Sequence, residues 1–328
     1  MPKAAVIHEK GPPEVLVWED VEVPDPGPGE ARLKQTAVGV NFVDTYHRAG
    51  VPHPWPVPPP PTVIGLEGVG IVEAVGPGVT GIAAGDRVAY ALPPLGAYAE
   101  VRNMTTHRLI KVPKGIGDVQ AAGMMLKGLT AQYLLRSTYR VRPGDTIVVT
   151  AAAGGMGLIL CQWANHLGAT VIGTVSTEEK AEQAAAHGCH HPVVYEQRDF
   201  RETVREVTDG AGVPVVYESV GKDTFQRSLD CLRPRGILAS FGHASGPPDP
   251  VDVIDLGARG SLWVTRPTIM TYMEDRDDMV AAAGELFEVV QSGAVKIEVN
   301  QTFALKDAAE AHRAVGERRT TGSTVLLP

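Results

Sequence analysis

The sequence predicts an α/β protein in which a β-rich, barrel-like part precedes a doubly wound parallel sheet. From about residue 126, β-type runs alternate with helix-length segments, and the first two of these runs are apolar without polar alternation. Strands buried on both faces of a parallel sheet have this composition. Before residue 112, many short β-type runs are separated by Gly and Pro, which is typical of a small barrel. The chain of 328 residues is long enough for two domains of ordinary size.

The β-rich part contains short runs separated by turn residues such as Gly76-Pro77-Gly78. We expect strands over 4–7, 15–23, 31–40, 70–75, 86–91, 98–101 and 109–112. Asn41 follows the third run and is a preferred N-cap residue, so a single helical turn would place Asn41, Asp44 and Tyr46 near one edge. The alternative, a capped surface helix without function, is favoured by these residues taken alone. Pro52 to Pro61 predicts an extended polyproline loop.

One βαβ unit is predicted between Thr146 and Thr177, a stretch without Asp, Glu, Lys or Arg. Its turn, Ala152-Ala153-Gly154-Gly155-Met156-Gly157, has the glycine spacing of a dinucleotide-binding loop whose first glycine is replaced. Glycines allow close backbone approach, and the N-terminus of the next helix then binds a pyrophosphate. A helix cap without a ligand is one alternative. A membrane span is another, but the glycines and the polar residues after them interrupt the apolar run.

The end of the second strand bears on which dinucleotide binds. An NAD-binding unit usually has Asp or Glu about 20 residues past the loop, where it holds the ribose hydroxyls. The segment from Gly173 to Thr177, which includes Ser176, has no acid, and Lys180 follows one helical turn later. A cation and hydroxyls suit a 2′-phosphate, so the sequence favours NADPH over NADH. For Lys180 alone, a solvated lysine paired with a neighbouring glutamate is the alternative.

The alternating pattern continues to about residue 241. Helices are expected over 178–187, 200–207 and 223–232, and strands over 192–195, 213–218 and 236–241. The strand ends carry Tyr195, Ser219 and Phe241-Gly242, where ligands lie in doubly wound sheets. A short apolar strand over 262–265 would form an exposed edge, which predicts a homodimer. The tail predicts an amphipathic helix closed by Gly293, a helix over 306–317 and a strand over 323–327.

Composition and charge exclude some function classes. Lys plus Arg is 30 and Asp plus Glu is 38, giving a net charge of −8, and no basic run is longer than a pair. This argues against nucleic acid as a ligand. Three cysteines without a C-x-x-C motif predict free thiols in a reducing compartment. The N-terminal residues have no export signal, so we expect a cytoplasmic protein that is not bound to a membrane.

Several motifs resemble those of the medium-chain dehydrogenase/reductase superfamily. Gly65-Leu66-Glu67-Gly68-Val69-Gly70-Ile71-Val72 resembles its G-x-E-x-x-G-x-V signature, and Gly85-Asp86-Arg87-Val88 resembles its G-D-x-V turn. The stretches 39–46, 126–130, 151–157 and 264–267 are similar to its zinc-independent branch of bacterial, zeta-crystallin-like NADPH:quinone oxidoreductases. The resemblance covers essentially the whole chain. It implies a GroES-like catalytic domain over 1–125, completed by 268–328, and an NADPH-binding Rossmann domain over 126–267.

The resemblance also bears on metal. Zinc members of the superfamily have a ligand Cys where Asn41 stands and a ligand His where Leu66 stands. Neither residue replaces those ligands usefully, so we expect no metal.

The site residues implied by the resemblance fall into two groups. Asn41 and Tyr46 would position the substrate. Lys180 and Tyr195 would flank the adenosine 2′-phosphate, with Arg318 reaching in from the tail. Two departures are His243 and Ala244, which stand where relatives carry small polar residues. The full set of implied NADPH contacts is Asn41, Tyr46, Thr130, Gly154, Gly155, Met156, Gly157, Ser176, Lys180, Tyr195, Ser219, Phe241, Gly242, Arg266 and Arg318.

The implied activity is NADPH-dependent reduction of a quinone by hydride transfer from nicotinamide C4. The Tyr46 hydroxyl or the Asn41 amide would stabilise the charge that develops on oxygen, and water could supply the proton. One alternative is a reductase of α,β-unsaturated carbonyls that uses the same site. Another is a crystallin-like protein that binds NADPH or RNA without catalysis, against which the negative charge weighs. The expected partner is therefore a small-molecule quinone or enone.

Overall fold

The computed structural model describes residues 1–51, 57–317 and 319–328. The chain forms two compact units, one of residues 1–127 with 297–328 and one of residues 128–296. The division implied by the family resemblance differs from this grouping mainly in segment 268–296. That segment groups with the second unit because its long helix packs there: a Cβ atom on Gly128 would lie 2.4 Å from Cδ2 of Leu286.

The described residues among the first 133 form eight strands and two α-helices. The strands are β1 (Lys3–Ile7), β2 (Leu16–Asp20), β3 (Glu30–Val40), β4 (Thr62–Val63), β5 (Glu67–Val75), β6 (Arg87–Tyr90), β7 (Val101–Thr105) and β8 (Ile110–Lys111); the helices are α1 (Phe42–Ala49) and α2 (Asp118–Tyr133).

The rest of the second unit alternates strands and helices. These are β9 (Thr146–Val149), α3 (Gly155–His166), β10 (Thr170–Val175), α4 (Glu178–Ala186), β11 (His191–Val194), α5 (Phe200–Val207), β12 (Val213–Glu218), α6 (Phe225–Asp230), β13 (Leu232–Ser240), α7 (Val253–Ala258), β14 (Trp263–Thr265), α8 (Ile269–Tyr272) and α9 (Arg276–Gln291). The tail adds β15 (Val299–Ala304), α10 (Ala308–Gly316) and β16 (Ser323–Leu327) to the first unit.

The second unit is built on one parallel sheet with the strand order β11-β10-β9-β12-β13-β14. The chain runs outward from β9 in one direction and then, from β12, in the other, so the order reverses between these two adjacent strands. Ligands of doubly wound sheets bind at this reversal, outside the carboxyl ends of the strands. The predicted doubly wound architecture is confirmed, and the uncharged stretch from Thr146 folds as strand, helix and strand.

The first unit contains a three-stranded sheet, β2-β1-β4, and a seven-stranded sheet in which β15-β16-β3-β5-β6-β8 are joined in order and β7 pairs with β3. The tail strand β16 lies antiparallel to β3, with Val325 opposite Gly39. Buried apolar side chains from β3, β5, β6 and α10 form the core. The β-rich prediction for this part is confirmed.

Several boundaries differ from expectation. Helix α1 has eight residues rather than one turn. The strand expected over 98–101 instead spans Val101–Thr105 (β7). Ala99, within the expected range, forms only an isolated bridge with Ala4. Helix α2, α7 and strand β15 were not predicted. The expected polyproline loop lies partly outside the described residues. Among the residues described, no helix is long and apolar enough to cross a membrane.

Candidate functional site

The turn between β9 and α3 is packed so closely that glycine is required. A Cβ atom on Gly157 would lie 2.3 Å from the carbonyl oxygen of Ala151 and 2.6 Å from Cα of Ala152. Gly154 is the N-cap of α3, and its carbonyl accepts from Leu158 N at 2.9 Å. The first turn of this helix therefore begins at Gly155, after the turn of residues 150–154 that follows β9. Its N–H groups form the type of anion site that a pyrophosphate occupies.

The replaced first glycine of the loop has a structural explanation. Ala152 is fully buried, and its backbone N–H donates to Thr174 O at 2.9 Å. The space for its methyl group comes from β10, where a Cβ atom on Gly173 would lie 2.6 Å from that methyl. An alanine at the first position is thus accommodated by a glycine on the neighbouring strand, and the loop conformation is retained.

At the order reversal, the ends of β9 and β12 are tied together by side chains. Ser219 N donates to Thr150 Oγ1 at 2.8 Å, and Thr150 N donates to Tyr217 O at 3.0 Å. Glu218 is fully buried and accepts from the backbone N–H of Val220 at 2.7 Å and of Gly221 at 3.0 Å. Sequence reasoning missed Glu218, although an acid that ends an otherwise apolar strand was the available signal.

The residues expected at the 2′-phosphate come together at the end of β10. Lys180 Nζ donates to Ser176 Oγ at 3.4 Å, and Thr177 Oγ1 caps α4 by accepting from Lys180 N at 3.3 Å. Tyr195 N donates to Val175 O at 3.1 Å, so the tyrosine follows directly beside this strand end. The Arg227 guanidinium lies 6.0 Å from the centre of the Tyr195 ring and adds a second cation that the sequence did not predict.

Residues after β13 and β14 also meet. Arg266 Nη1 donates to Ser240 O at 2.8 Å, and its Nη2 lies 3.5 Å from His243 Nδ1. Burial and the neighbouring Arg266 charge both lower the pKa of His243. A Cβ atom on Gly242 would lie 2.7 Å from Ser219 O, so this glycine permits the strand ends to touch. Phe241 N donates to Glu218 O at 2.9 Å.

Thr130 lies on α2 beside a stacked tyrosine pair. The rings of Tyr133 and Tyr272 are 4.4 Å apart and 8° from parallel, and the Thr130 side chain hydrogen-bonds Tyr133. Burial raises the pKa of Tyr133, while the nearby Arg266 charge opposes that rise. Thr130 and Arg266, both expected at the cofactor, therefore lie around one aromatic pair. Arg318, the remaining expected contact of the tail, lies outside the described residues.

In the first unit, Asn41 belongs to a buried polar cluster. Its side-chain nitrogen donates to Glu67 Oε2 at 2.8 Å, and Lys127 Nζ lies 3.6 Å from the same oxygen. Its backbone N–H donates to Asp44 Oδ2 at 2.9 Å, so Asp44 caps α1. Tyr46 lies on the next turn of α1, with its ring edge-on to Phe42 at 5.3 Å.

A chain of hydrogen bonds runs from Arg48 through His312 and Tyr98 to Asp44. Arginine has no acceptor, so Arg48 Nη1 donates to His312 Nδ1 at 3.2 Å and leaves the ring proton on Nε2. That nitrogen donates to the Tyr98 hydroxyl at 2.8 Å, which donates to Asp44 Oδ2 at 3.0 Å. Burial raises the pKa of Asp44 to about 7 and lowers that of His312 to about 3.

The residues at the zinc positions do not fit a zinc ion. Leu66 is fully buried and offers no donor atom, and the Asn41 amide nitrogen is bonded to Glu67. Within the described ranges, no group of three His, Cys, Asp or Glu side chains could hold a metal ion. The glycine-lined turn and the Ser176–Lys180 pair of the second unit, by contrast, do fit the phosphates of a dinucleotide.

Comparison with known proteins gives matches over the whole chain. Residues 27–144 match the family model of the alcohol dehydrogenase GroES-like domain, and residues 155–287 match that of zinc-binding dehydrogenases. The chain is 57% identical to a 2-haloacrylate reductase of a Burkholderia species, over 100% of this chain and 99% of the relative. It is 52% identical to a quinone oxidoreductase of Pseudomonas aeruginosa, over 97% of both chains. The crystal structure of Escherichia coli quinone oxidoreductase complexed with NADPH superposes with a TM-score of 0.96 at 44% identity, covering 99% of this chain and 100% of that one.

Proposed function

The chain belongs to the medium-chain dehydrogenase/reductase family, and on that premise we propose that it is an NADPH-dependent quinone reductase. The observation that carries the proposal is the end of β10, where Ser176 and Lys180 meet and no acid stands between 173 and 177. A 2′-phosphate finds a cation and a hydroxyl there, and no acid within 173–177 takes the place that would hold the ribose hydroxyls of NADH. The structure of Escherichia coli quinone oxidoreductase complexed with NADPH supports the same cofactor.

Most of the proposed cofactor contacts belong to the second unit, and Asn41 and Tyr46 are assigned from the first. The first turn of α3, with Gly154, Gly155, Met156 and Gly157, binds the pyrophosphate through its N–H groups. Ser176, Lys180 and Tyr195 bind the 2′-phosphate. The remaining contacts are assigned to Thr130, Ser219, Phe241, Gly242 and Arg266, with Arg318 from the tail.

The chemistry follows from the cofactor and from the residues of α1. Bound NADPH supplies a hydride, which leaves a negative charge on the substrate oxygen. The Asn41 amide and the Tyr46 hydroxyl are the donors assigned to orient the substrate and stabilise that charge. No metal takes part in this assignment, since the residues at the zinc positions carry no suitable ligand atoms.

A second candidate function is the reduction of activated alkenes, which the similarity to a 2-haloacrylate reductase favours. Hydride transfer to such a substrate also places negative charge on a carbonyl oxygen, so the same residues serve both reactions. Steady-state rates on 1,4-benzoquinone, an alkenal and 2-chloroacrylate, measured side by side with NADPH, separate the two. A kcat/KM at least about tenfold higher for benzoquinone, a difference of about 1.4 kcal/mol, supports the quinone assignment.

We also propose a cytoplasmic homodimer. At the β14 edge of the parallel sheet, Trp263 is 66% exposed and Val264 is 37% exposed. Helix α7 presents two more exposed apolar side chains, Val253 and Ile254. An apolar strand edge of this kind is typically covered by a second copy of the chain.

The decisive experiment titrates the protein with NADPH and with NADH, followed by nucleotide fluorescence, before and after Lys180→Ala. We expect a preference for NADPH that falls at least about tenfold in the variant, because one charge-assisted contact to the phosphate is lost. Lys296→Ala, which removes an exposed lysine of the same unit, is the matched control. Equal affinity for the two nucleotides in the unaltered protein would refute the phosphate assignment.

A further inference from the structure

A buried ion pair in the first unit has no evident role in stability. Glu67 is fully buried and Lys127 is 8% exposed, and their charged atoms lie 3.6 Å apart. Moving two ions out of water costs several kcal/mol each, and apolar residues in their place often stabilise a fold as well or better. Buried charges at this cost are frequently functional.

The surroundings of the pair are built to hold it in one place. Glu67 Oε1 accepts from Leu126 N at 2.8 Å, and Oε2 accepts from Asn41 Nδ2 at 2.8 Å. Gly39 leaves the necessary room, since a Cβ atom there would lie 2.3 Å from Glu67 Oε2. Lys127 Nζ also lies 3.4 Å from Val40 O. Besides the backbone N–H of Leu126, one carboxylate therefore fixes two side-chain nitrogen groups, the Asn41 amide and the Lys127 ammonium.

The ionisable groups that face Lys127 are two acids and two phenols. The acids that face it are Glu67 and Asp44, and burial raises the pKa of both. The phenols of Tyr90 and Tyr98 face the same carboxyls, and burial raises their pKa values above the ordinary value. Lys127 lowers the pKa of both acids, so its ammonium already stabilises negative charge at this place.

Resting on the proposed function, we propose that Lys127 is a further catalytic residue, whose ammonium group stabilises the substrate oxygen anion and then protonates it. Lys127 shares the Glu67 oxygen with Asn41, the residue assigned to orient the substrate. An amide donates a hydrogen bond but is not a general acid, whereas an ammonium can donate a hydrogen bond and transfer a proton to an oxygen anion.

The step balances in atoms and electrons. The hydride carries two electrons and a hydrogen to the substrate, which is reduced, while the nicotinamide is oxidised. The O–H bond then forms as one N–H bond of Lys127 breaks, and the bonding pair stays on Nζ. A proton from solvent restores the ammonium, so one proton is taken up per turnover.

The test compares the full-length protein with Lys127→Met and Lys127→Arg in single-turnover oxidation of bound NADPH by 1,4-benzoquinone. Met keeps the apolar stem and removes the charge, and Arg keeps the charge. Lys111→Met is the matched control, since Lys111 is an exposed lysine of the same unit. NADPH affinity and urea unfolding are measured for each variant.

We expect Lys127→Met to slow hydride transfer by about 100-fold, as the loss of one oxyanion donor does elsewhere, with NADPH affinity unchanged. Lys127→Arg should regain at least about tenfold of that loss, because a cationic donor returns. A Lys127→Met rate within about threefold of the unaltered protein would overturn the proposal. So would an Arg variant no faster than the Met variant.

Two further outcomes keep the proposal separate from the proposed function. If the unaltered protein binds NADPH but reduces neither quinone nor alkenal, the proposed function fails and takes this inference with it. If the Met variant does not fold, Lys127→Gln, which keeps a hydrogen-bond donor and removes the charge and the transferable proton, takes its place in the same assay. A rate at least about tenfold lower than that of the unaltered protein supports the proposal, and a rate within about threefold contradicts it.

Discussion

The amide nitrogen of Asn41 donates to Glu67 Oε2 across 2.8 Å, although the two residues are 26 positions apart and lie at the end of β3 and the start of β5. Gly39 and Glu67 are opposite each other in the antiparallel pair of these strands. The sheet register therefore sets the position of the carboxylate, and the carboxylate sets the orientation of the amide. A change of charge at Glu67 acts on both nitrogen groups that the carboxylate holds.

Replacing Glu67 by Gln is expected to destabilise the protein by about 3 kcal/mol, because Lys127 then stays buried without its counter-charge. The new amide nitrogen would also face an N–H of Leu126 or Asn41, both of which now donate to a carboxylate oxygen. Urea unfolding at pH 7 measures the change. Glu73→Gln, an exposed residue on the same strand, should change the free energy of unfolding by less than about 0.5 kcal/mol. A loss below about 1 kcal/mol for Glu67→Gln would show that the charge is not needed there.

Asp44 is expected to make stability fall as pH rises. Its folded pKa of about 7 is higher than its unfolded value of about 3.8, so the protonated form favours folding. That contribution is complete below pH 4 and is lost as pH rises through 7. Asp44→Asn keeps the shape of the neutral acid and removes the titration. Relative to the unaltered protein, the variant should therefore gain stability between pH 4 and pH 8, by on the order of 4 kcal/mol.

Free energies of unfolding at pH 4, 6 and 8 check the prediction for Asp44. His312 acts in the opposite direction. Its folded pKa of about 3 is lower than its unfolded pKa of about 6.5, so the protein loses stability as pH falls below 6.5. For this reason the test compares the free energy of unfolding of the variant with that of the unaltered protein at each pH. If this difference does not change with pH, Asp44 is ionised throughout the range.

The sequence predicted the elements whose pattern is local. The β9–α3–β10 unit, the turn Ala152–Gly157 and Lys180 lie within about forty residues, and their spacing alone places them together. The Asp44–Tyr98–His312 chain joins residues up to 214 positions apart, and no periodicity indicates such contacts. The sequence indicated Glu67 only as the acid of the G-x-E-x-x-G-x-V signature, because its hydrogen bond with Asn41 depends on the pairing register of β3 and β5.

Strand β15 was missed for a different reason. Its residues alternate between half-buried and exposed positions, without the apolar run that marked the central strands. It lies at the end of its sheet and, among the strands described, pairs with β16 alone, so little burial is encoded in its sequence. Helix α2 begins at Asp118, before the residue at which the alternating pattern was expected to start.

Gly157→Ala is expected to abolish NADPH binding and to cost at least about 2 kcal/mol of stability. The new methyl group would lie 2.3 Å from a backbone oxygen, which cannot move without displacing the end of β9. Fluorescence titration and urea unfolding measure the two effects. Gly284→Ala, on helix α9 where a Cβ atom meets nothing within 4 Å, should instead raise stability slightly. If Gly157→Ala binds NADPH within about threefold of the unaltered protein, the close approach of the loop is not needed for binding.

Trp263 is expected to be the residue on which self-association depends most. It is the most exposed aromatic side chain of the β14 edge strand, and tryptophans at interface centres often contribute about 2 kcal/mol or more. Trp263→Arg should therefore weaken a homodimer by about 30-fold or more, as measured by sedimentation equilibrium over a range of concentrations. Val280→Arg changes a 44% exposed apolar residue that lies on helix α9 and not on the edge strand, and it should leave the association unchanged. A dimer that persists in Trp263→Arg would place the interface on another surface, and a monomeric unaltered protein would refute the homodimer.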